Sequence, residues 1–116
     1  HEVQVNSGID IQFRKNEPTF TLTSEAELSI FRGVQEAITN AMRHGQATRI
    51  TVLLMYNPSQ LVVTIKDNGT GAVDLAPKGG LKSLQERLRA EGGSVTLEAS
   101  NPGVTVQMIL PNTEKQ

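Results

Sequence analysis

The chain has 116 residues, 11 Lys and Arg against 12 Asp and Glu, a net charge of -1 and no cysteine. That length holds one core and not two, and so balanced a charge offers no field for a nucleic-acid backbone or a direct membrane contact. Without cysteine there is no disulfide, thiolate nucleophile or thiolate zinc site, which suits a reducing, cytoplasmic setting. No run reaches the roughly 18 apolar residues of a membrane helix. The opening, in which His1 and Glu2 run straight into Val3 and Val5, suggests a piece of a longer protein, whose own anchoring in a bacterial inner membrane stays open.

Val3 to Val5 and Ile9 to Phe13 alternate apolar with polar residues, the period of a half-buried strand. Ser24 followed by Glu27 has capping-box spacing, so a helix is expected from Ser24 to a stop at Gly45. Phe31, Val34, Ile38, Ala41 and Met42 form its expected core stripe, with Glu36, Asn40, Arg43 and His44 on another face. Ile50 to Leu54 and Leu61 to Ile65 flank Asn57, Pro58 and Ser59 and predict an antiparallel hairpin. A glycine-rich loop from Asn68 to Gly80 leads to a second helix marked by Leu81, Leu84 and Leu88 and ended by Gly92 and Gly93. Ser94 to Ala99 and Val104 to Leu110 predict a last hairpin around Asn101, Pro102 and Gly103. The order β, α, ββ, α, ββ predicts an α+β fold, a single mostly antiparallel sheet with helices on one face, over residues 1–116.

Three places in this plan offer chemistry. On the first helix, a carboxylate, an amide, a guanidinium and an imidazole share a face suited to magnesium and phosphate, though an ordinary solvated helix face has the same look. Asp67 ends a strand expected to be buried, where a carboxylate needs a partner such as an adenine amine. Gly69 and Gly71 beside it would let backbone approach a flat base, but Asn68 and Gly69 are equally a common tight-turn pair. Gly79 and Gly80, with Lys78 and Lys82 close by, would open a helix as an anion site or serve as a plain connection. A Walker phosphate loop is excluded because Leu81 precedes Lys82 and Ser83, and two histidines are too few for a histidine-rich metal site.

Taken in order, these runs resemble the ATP-binding catalytic domain of bacterial sensor histidine kinases, in the ATPase superfamily shared with Hsp90, gyrase B and MutL, and most of all its nitrate-sensor and desaturase-regulator branch. The resemblance spans about residues 28–111: an N-box from Glu36 to His44, a G1 box from Asp67 to Gly71, and a G2-like Gly80 and Leu81 followed by Glu86, Arg87, Gly92 and Gly93. It implies a two-layer α/β sandwich of the Bergerat type that binds ATP with Mg2+. It also implies roles: Asp67 accepting from the adenine amine, Gly69 and Gly71 shaping the base pocket, Asn40 ligating magnesium, Arg43 and His44 approaching the phosphates, Gly80 at the lid hinge with Leu81 beside it in the nucleotide site, and Glu36 catalytic. The reaction implied is transfer of the γ-phosphate to a histidine on a separate dimerisation domain, which this chain lacks, and thence to a response regulator.

Two departures from the pattern stand out. Lys78 occupies the first glycine position of the G2 box, and Gly103 is followed by Val104 where Thr is usual, with Thr105 one residue further facing the other way. They keep open one alternative, a non-catalytic interaction module of the same fold, and the shared fold keeps open another, an anti-sigma-factor type serine kinase. The loop from Thr70 to Gly79 is expected to order over a bound nucleotide.

Overall fold

Six runs of alternating or apolar residues pair into one sheet, and the two predicted helices cover one face of it. The computed structural model describes residues 2–4, 8–71 and 74–113, with the backbone alone at 2–4. In chain order the elements are β1 (Glu2–Gln4), β2 (Asp10–Lys15), α1 (Ser24–Arg43), β3 (Arg49–Tyr56), β4 (Gln60–Asp67), α2 (Gly79–Arg89), β5 (Ser94–Ala99) and β6 (Val104–Pro111). The strands lie in the order β1-β2-β3-β4-β6-β5. Only β2 and β3 run parallel, joined through α1, and every other neighbouring pair is antiparallel. The expected α+β sandwich is therefore present, with the sheet mixed. Val5, part of the first predicted strand, lies outside the described residues.

Register explains what the sheet buries. Phe13, Val52, Ile65, Val106 and Leu97 stand side by side across five strands, and Leu54, Val63, Met108 and Val95 form the next row. Because side chains alternate, both rows share one face, and the helices close over it. Val52, Val63 and Met108 are wholly buried there. A third row runs Ile11, Ile50 and Asp67, so the strand period that buries Ile65 also turns Asp67 toward the helices.

The helix α1 begins one residue earlier in its capping than Ser24 and Glu27 suggest. Thr23 is the N-cap and accepts from the Ala26 N–H at 3.1 Å, satisfying one of the free donors of the first turn. Its buried stripe also differs from the expected one. Ile30, Gly33, Ala37 and Ala41 face the core, Val34, Ile38 and Met42 flank it, and Phe31 is 59% exposed. The cause is helix packing. A Cβ at Gly33 would overlap Leu84 and lie 2.9 Å from Met108 Cε, so α2 rests on a bare stretch of α1 backbone that a search for large apolar residues passes over.

Gly79 and Gly80 form the first turn of α2 rather than preceding it, and Lys78 is an N-cap without a side-chain capping bond. At the other end Gly93 N–H donates to Leu88 O at 2.7 Å and Gly92 takes φ +85°, ending the helix where the glycines predicted.

Candidate functional site

Between the C-terminal half of α1, the start of α2 and the end of the sheet lies a cavity of about 1140 Å³. Its size suits a nucleotide-sized ligand. Its walls come from four stretches far apart in the chain: α1 from Glu36 to Gly45, the segment after β4, the start of α2, and the β5–β6 hairpin. Small residues keep it open, since Ala37 and Ala41 are the α1 side chains beneath Glu36 and Asn40. Leu97, Val104 and Val106 give an apolar floor, continuing the sheet rows described above.

Asp67 is the polar centre of that floor. It is 9% exposed, and its Oδ1 accepts from Gly69 N–H at 2.8 Å and Val104 N–H at 3.3 Å. Two backbone donors on one oxygen fix the carboxylate plane, and no described residue donates to Oδ2. A buried carboxylate oxygen is costly without a donor, so Oδ2 is the natural acceptor for a ligand N–H. The turn around it is built from close backbone contacts. Thr70 N–H donates to Gly45 O at 2.7 Å, a Cβ at Gly69 would overlap that same carbonyl, and a Cβ at Gly103 would lie 2.6 Å from Asp67 Oδ1. Asn68 does structural work instead: its Oδ1 accepts from Thr48 and Arg49 N–H, each at 2.9 Å, pinning the turn to the start of β3.

Of the sequence-derived candidates, Glu36, Asn40, His44, Asp67, Gly69, Gly71 and Leu81 all line this cavity. Glu36, Asn40 and His44 follow one another at four-residue steps down one edge of α1. Arg43 is exposed and is not part of the wall. Gly80 borders a smaller groove of about 510 Å³ between α1 and α2, where a Cβ would sit 2.8 Å from Glu36 Oε1. Glu36 belongs to both spaces. Among the described residues no three His, Cys, Asp or Glu side chains gather as a metal cluster.

The rim carries one ion pair, Lys78 Nζ to Asp74 Oδ2 at 3.0 Å. Asp74 Oδ1 also accepts from Ala76 N–H at 2.9 Å. The Ala76 N–H first, and the Lys78 ammonium second, hold the Asp74 carboxyl below the usual carboxylate range. Of the expected lid, Ala72 and Val73 lie outside the described residues.

Residues 25–114 match the family described as histidine kinase-, DNA gyrase B-, and HSP90-like ATPase. The chain belongs to this family.

Relatives of this chain are named as kinases. It is 32% identical to the sensor histidine kinase YxjM of Bacillus subtilis (strain 168) over 96% of this chain and 28% of that protein. It is 29% identical to the oxygen sensor histidine kinase NreB of Staphylococcus carnosus (strain TM300) over 97% of this chain and 34% of that one. The chain thus spans only about a quarter to a third of these curated relatives. Among solved structures, the ATP-binding domain of PrrB from Mycobacterium tuberculosis matches with a TM-score of 0.61 and 26% identity, over 75% of this chain and 69% of that one. The catalytic domain of histidine kinase ThkA has the same fold, with a TM-score of 0.72 at 17% identity, over 92% and 81% of the two chains.

The family pattern points to Gly103 and Val104 on the far wall of the cavity, while nothing in the sequence marks Leu97, Val106 or Ser100 as part of it. Leu97, Val104 and Val106 could have been inferred from strand alternation once β4 and β6 were known to be neighbours. The Asn101 to Gly103 turn is marked by its own residues, but Ser100 carries no local signal, and only the sheet order folds both against Asp67.

Proposed function

We propose that this chain is the ATP-binding catalytic domain of a two-component sensor histidine kinase of the nitrate-sensor and desaturase-regulator branch. The observation that carries it is Asp67: a carboxylate held by one oxygen on two backbone N–H groups, its other oxygen unclaimed, above an apolar floor. Such a pair of features accepts a hydrogen bond from an exocyclic amine while burying the flat faces of a purine. Gly69 and Gly71 keep the base edge free of side chains.

One turn and more along α1, Asn40 and Glu36 offer oxygens where the phosphates would lie. Two side-chain oxygens suit magnesium that arrives with the nucleotide, because that ion keeps several waters and takes phosphate oxygens rather than a full protein cage. Bound there, magnesium would neutralise phosphate charge. His44 borders the same cavity and is assigned to phosphate binding, whereas Arg43, its neighbour in the chain, does not line it. Gly80 and Leu81 open α2 at the hinge of the loop over the ligand.

Glu36 looks into both the cavity and the α1–α2 groove, which supports a role in orienting an acceptor imidazole brought in from outside. The proposed reaction moves the γ-phosphoryl group of ATP to a ring nitrogen of that histidine, leaving ADP, and then to an aspartate of a response regulator. Catalysis of this kind depends on positioning and charge stabilisation, so the dimerisation domain that carries the acceptor is a required partner. A cytoplasmic domain is part of this proposal; no described helix is long and apolar enough to cross a membrane.

The test is calorimetric titration with a non-hydrolysable ATP analogue, with and without magnesium. Asp67→Asn retains one carbonyl oxygen for the backbone donors but presents an amide N–H₂ to the adenine amine, and is expected to weaken binding at least tenfold. Asn40→Ala is expected to remove most of the magnesium dependence. Unchanged affinity in both variants would refute the assignment, and no binding by the parent at millimolar ligand would favour an interaction module.

A further inference from the structure

Among the described side chains, only the hydroxyl of Ser100 is both sealed from solvent and without a hydrogen-bond partner. Ser100 lines the cavity, at the end of β5, where the chain turns back through Asn101, Pro102 and Gly103. That turn is fastened to Asp67 at several points. Ser100 N–H donates to Gly103 O at 3.1 Å, Gly103 packs against the Asp67 backbone and carboxylate, and Val104 N–H donates to Asp67 Oδ1. Ser100 is therefore held near the base-recognition end of the cavity, away from Glu36 and Asn40 on α1.

A buried hydroxyl left unpaired carries the full desolvation penalty, so its retention asks for a partner that arrives later. Serine has a single side-chain torsion with three staggered positions, and a change of position needs no backbone movement. The neighbouring strand offers no substitute. Val104 faces the cavity without a polar atom, and Thr105, paired with exposed Lys66, stands on the opposite face of the sheet.

We infer that Ser100 is a base-recognition residue of this site, its hydroxyl making a hydrogen bond with the edge of the bound purine beside Asp67. This rests on the nucleotide-binding role proposed above. It assigns to the β5–β6 turn a polar contact that the strand after Gly103 does not provide.

The experiment measures binding of three probes, adenosine, ADP and inorganic tripolyphosphate, to the parent, Ser100→Ala, Ser100→Thr and Asp67→Asn, together with the melting temperature of each without ligand. Ser100→Ala is expected to weaken adenosine and ADP by the same factor, ~3- to 10-fold, and to leave tripolyphosphate unchanged. Ser100→Thr, which keeps the hydroxyl, is expected to recover at least half of that loss on a logarithmic scale. Without ligand, Ser100→Ala is expected to melt at the parent temperature or above, because it deletes an unpaired polar group.

Equal affinity of Ser100→Ala and parent for ADP, while Asp67→Asn weakens it, overturns this inference and leaves the nucleotide site standing. A loss seen equally with tripolyphosphate, or a ligand-free melting temperature lowered by more than about 5 °C, overturns it in favour of a phosphate or structural role. If the parent binds neither ADP nor adenosine, both proposals fall.

Discussion

Replacing Gly103 by Ala probes the join between the β5–β6 turn and Asp67. Gly103 has φ +94°, a conformation that costs an L-residue about 1–2 kcal/mol. Its Cβ would also overlap the Asp67 carbonyl and approach Oδ1 to 2.6 Å. Neither atom is the free end of a flexible chain, so the turn must retreat. Retreat breaks the Val104 N–H bond to the carboxylate, a charge-assisted bond of about 1.5–3 kcal/mol. Together the expected loss is about 2.5–5 kcal/mol, or roughly 10–20 °C in melting temperature for a domain of this size.

Gly79→Ala is the matched control. Gly79 also has positive φ, +54°, but nothing lies within 4 Å of its added Cβ, so only the strain of about 1–2 kcal/mol remains. Urea unfolding of both variants, read at the midpoint with the slope checked for constancy, separates the two contributions. Equal losses within about 0.5 kcal/mol would refute the close contact between this turn and Asp67.

Three further outcomes are expected. Thr23→Ala should cost about 1 kcal/mol, while Ser24→Ala stays within about 0.5 kcal/mol, a contrast in urea midpoints that tests which residue caps α1. Asp74 should titrate below the usual carboxylate range of about pH 4. The charged interaction it makes with Ala76 N–H and Lys78 is then complete above that range and is lost as pH falls through the lowered value. Lys78→Ala should raise that midpoint partway, as followed by carboxyl carbon resonance, and no movement would dissolve the ion pair. Asp67→Asn, beyond weakening nucleotide, should shrink the rise in melting temperature that ADP produces in the parent, since ligand stabilisation tracks affinity.

How much of this was legible in the sequence depended on whether the cause was local. The hairpins, the two helices and their glycine stops follow from alternation, turn residues and capping, and all are present. The parallel pairing of β2 with β3 has no local marker, because it is set by how α1 crosses the sheet. Size and spacing predict Phe31 in the core. The structure buries Gly33 and Ala37 in its place, since the closest helix contact requires the absence of a side chain. In the site, Asp67 and its glycines were found because a carboxylate at the end of an apolar strand is anomalous. Val104 stands out only against the family pattern and Ser100 not at all, because only sheet order brings the β5–β6 turn to Asp67.

The meeting of Gly69 with Gly45 has a genetic consequence. An added methyl at Gly69 would overlap the Gly45 carbonyl, and one at Gly45 would lie 3.0 Å from the Ala41 carbonyl. Oversized residues in a core are often rescued by shrinking a neighbour, but here the obstacle is main chain on either side. A suppressor screen starting from a Gly69 substitution should therefore return reversion to glycine and no compensating change at position 45. Position 69 would register as an invariant column without covariation, hiding its contact with the Gly45 carbonyl from any method that infers proximity from correlated change.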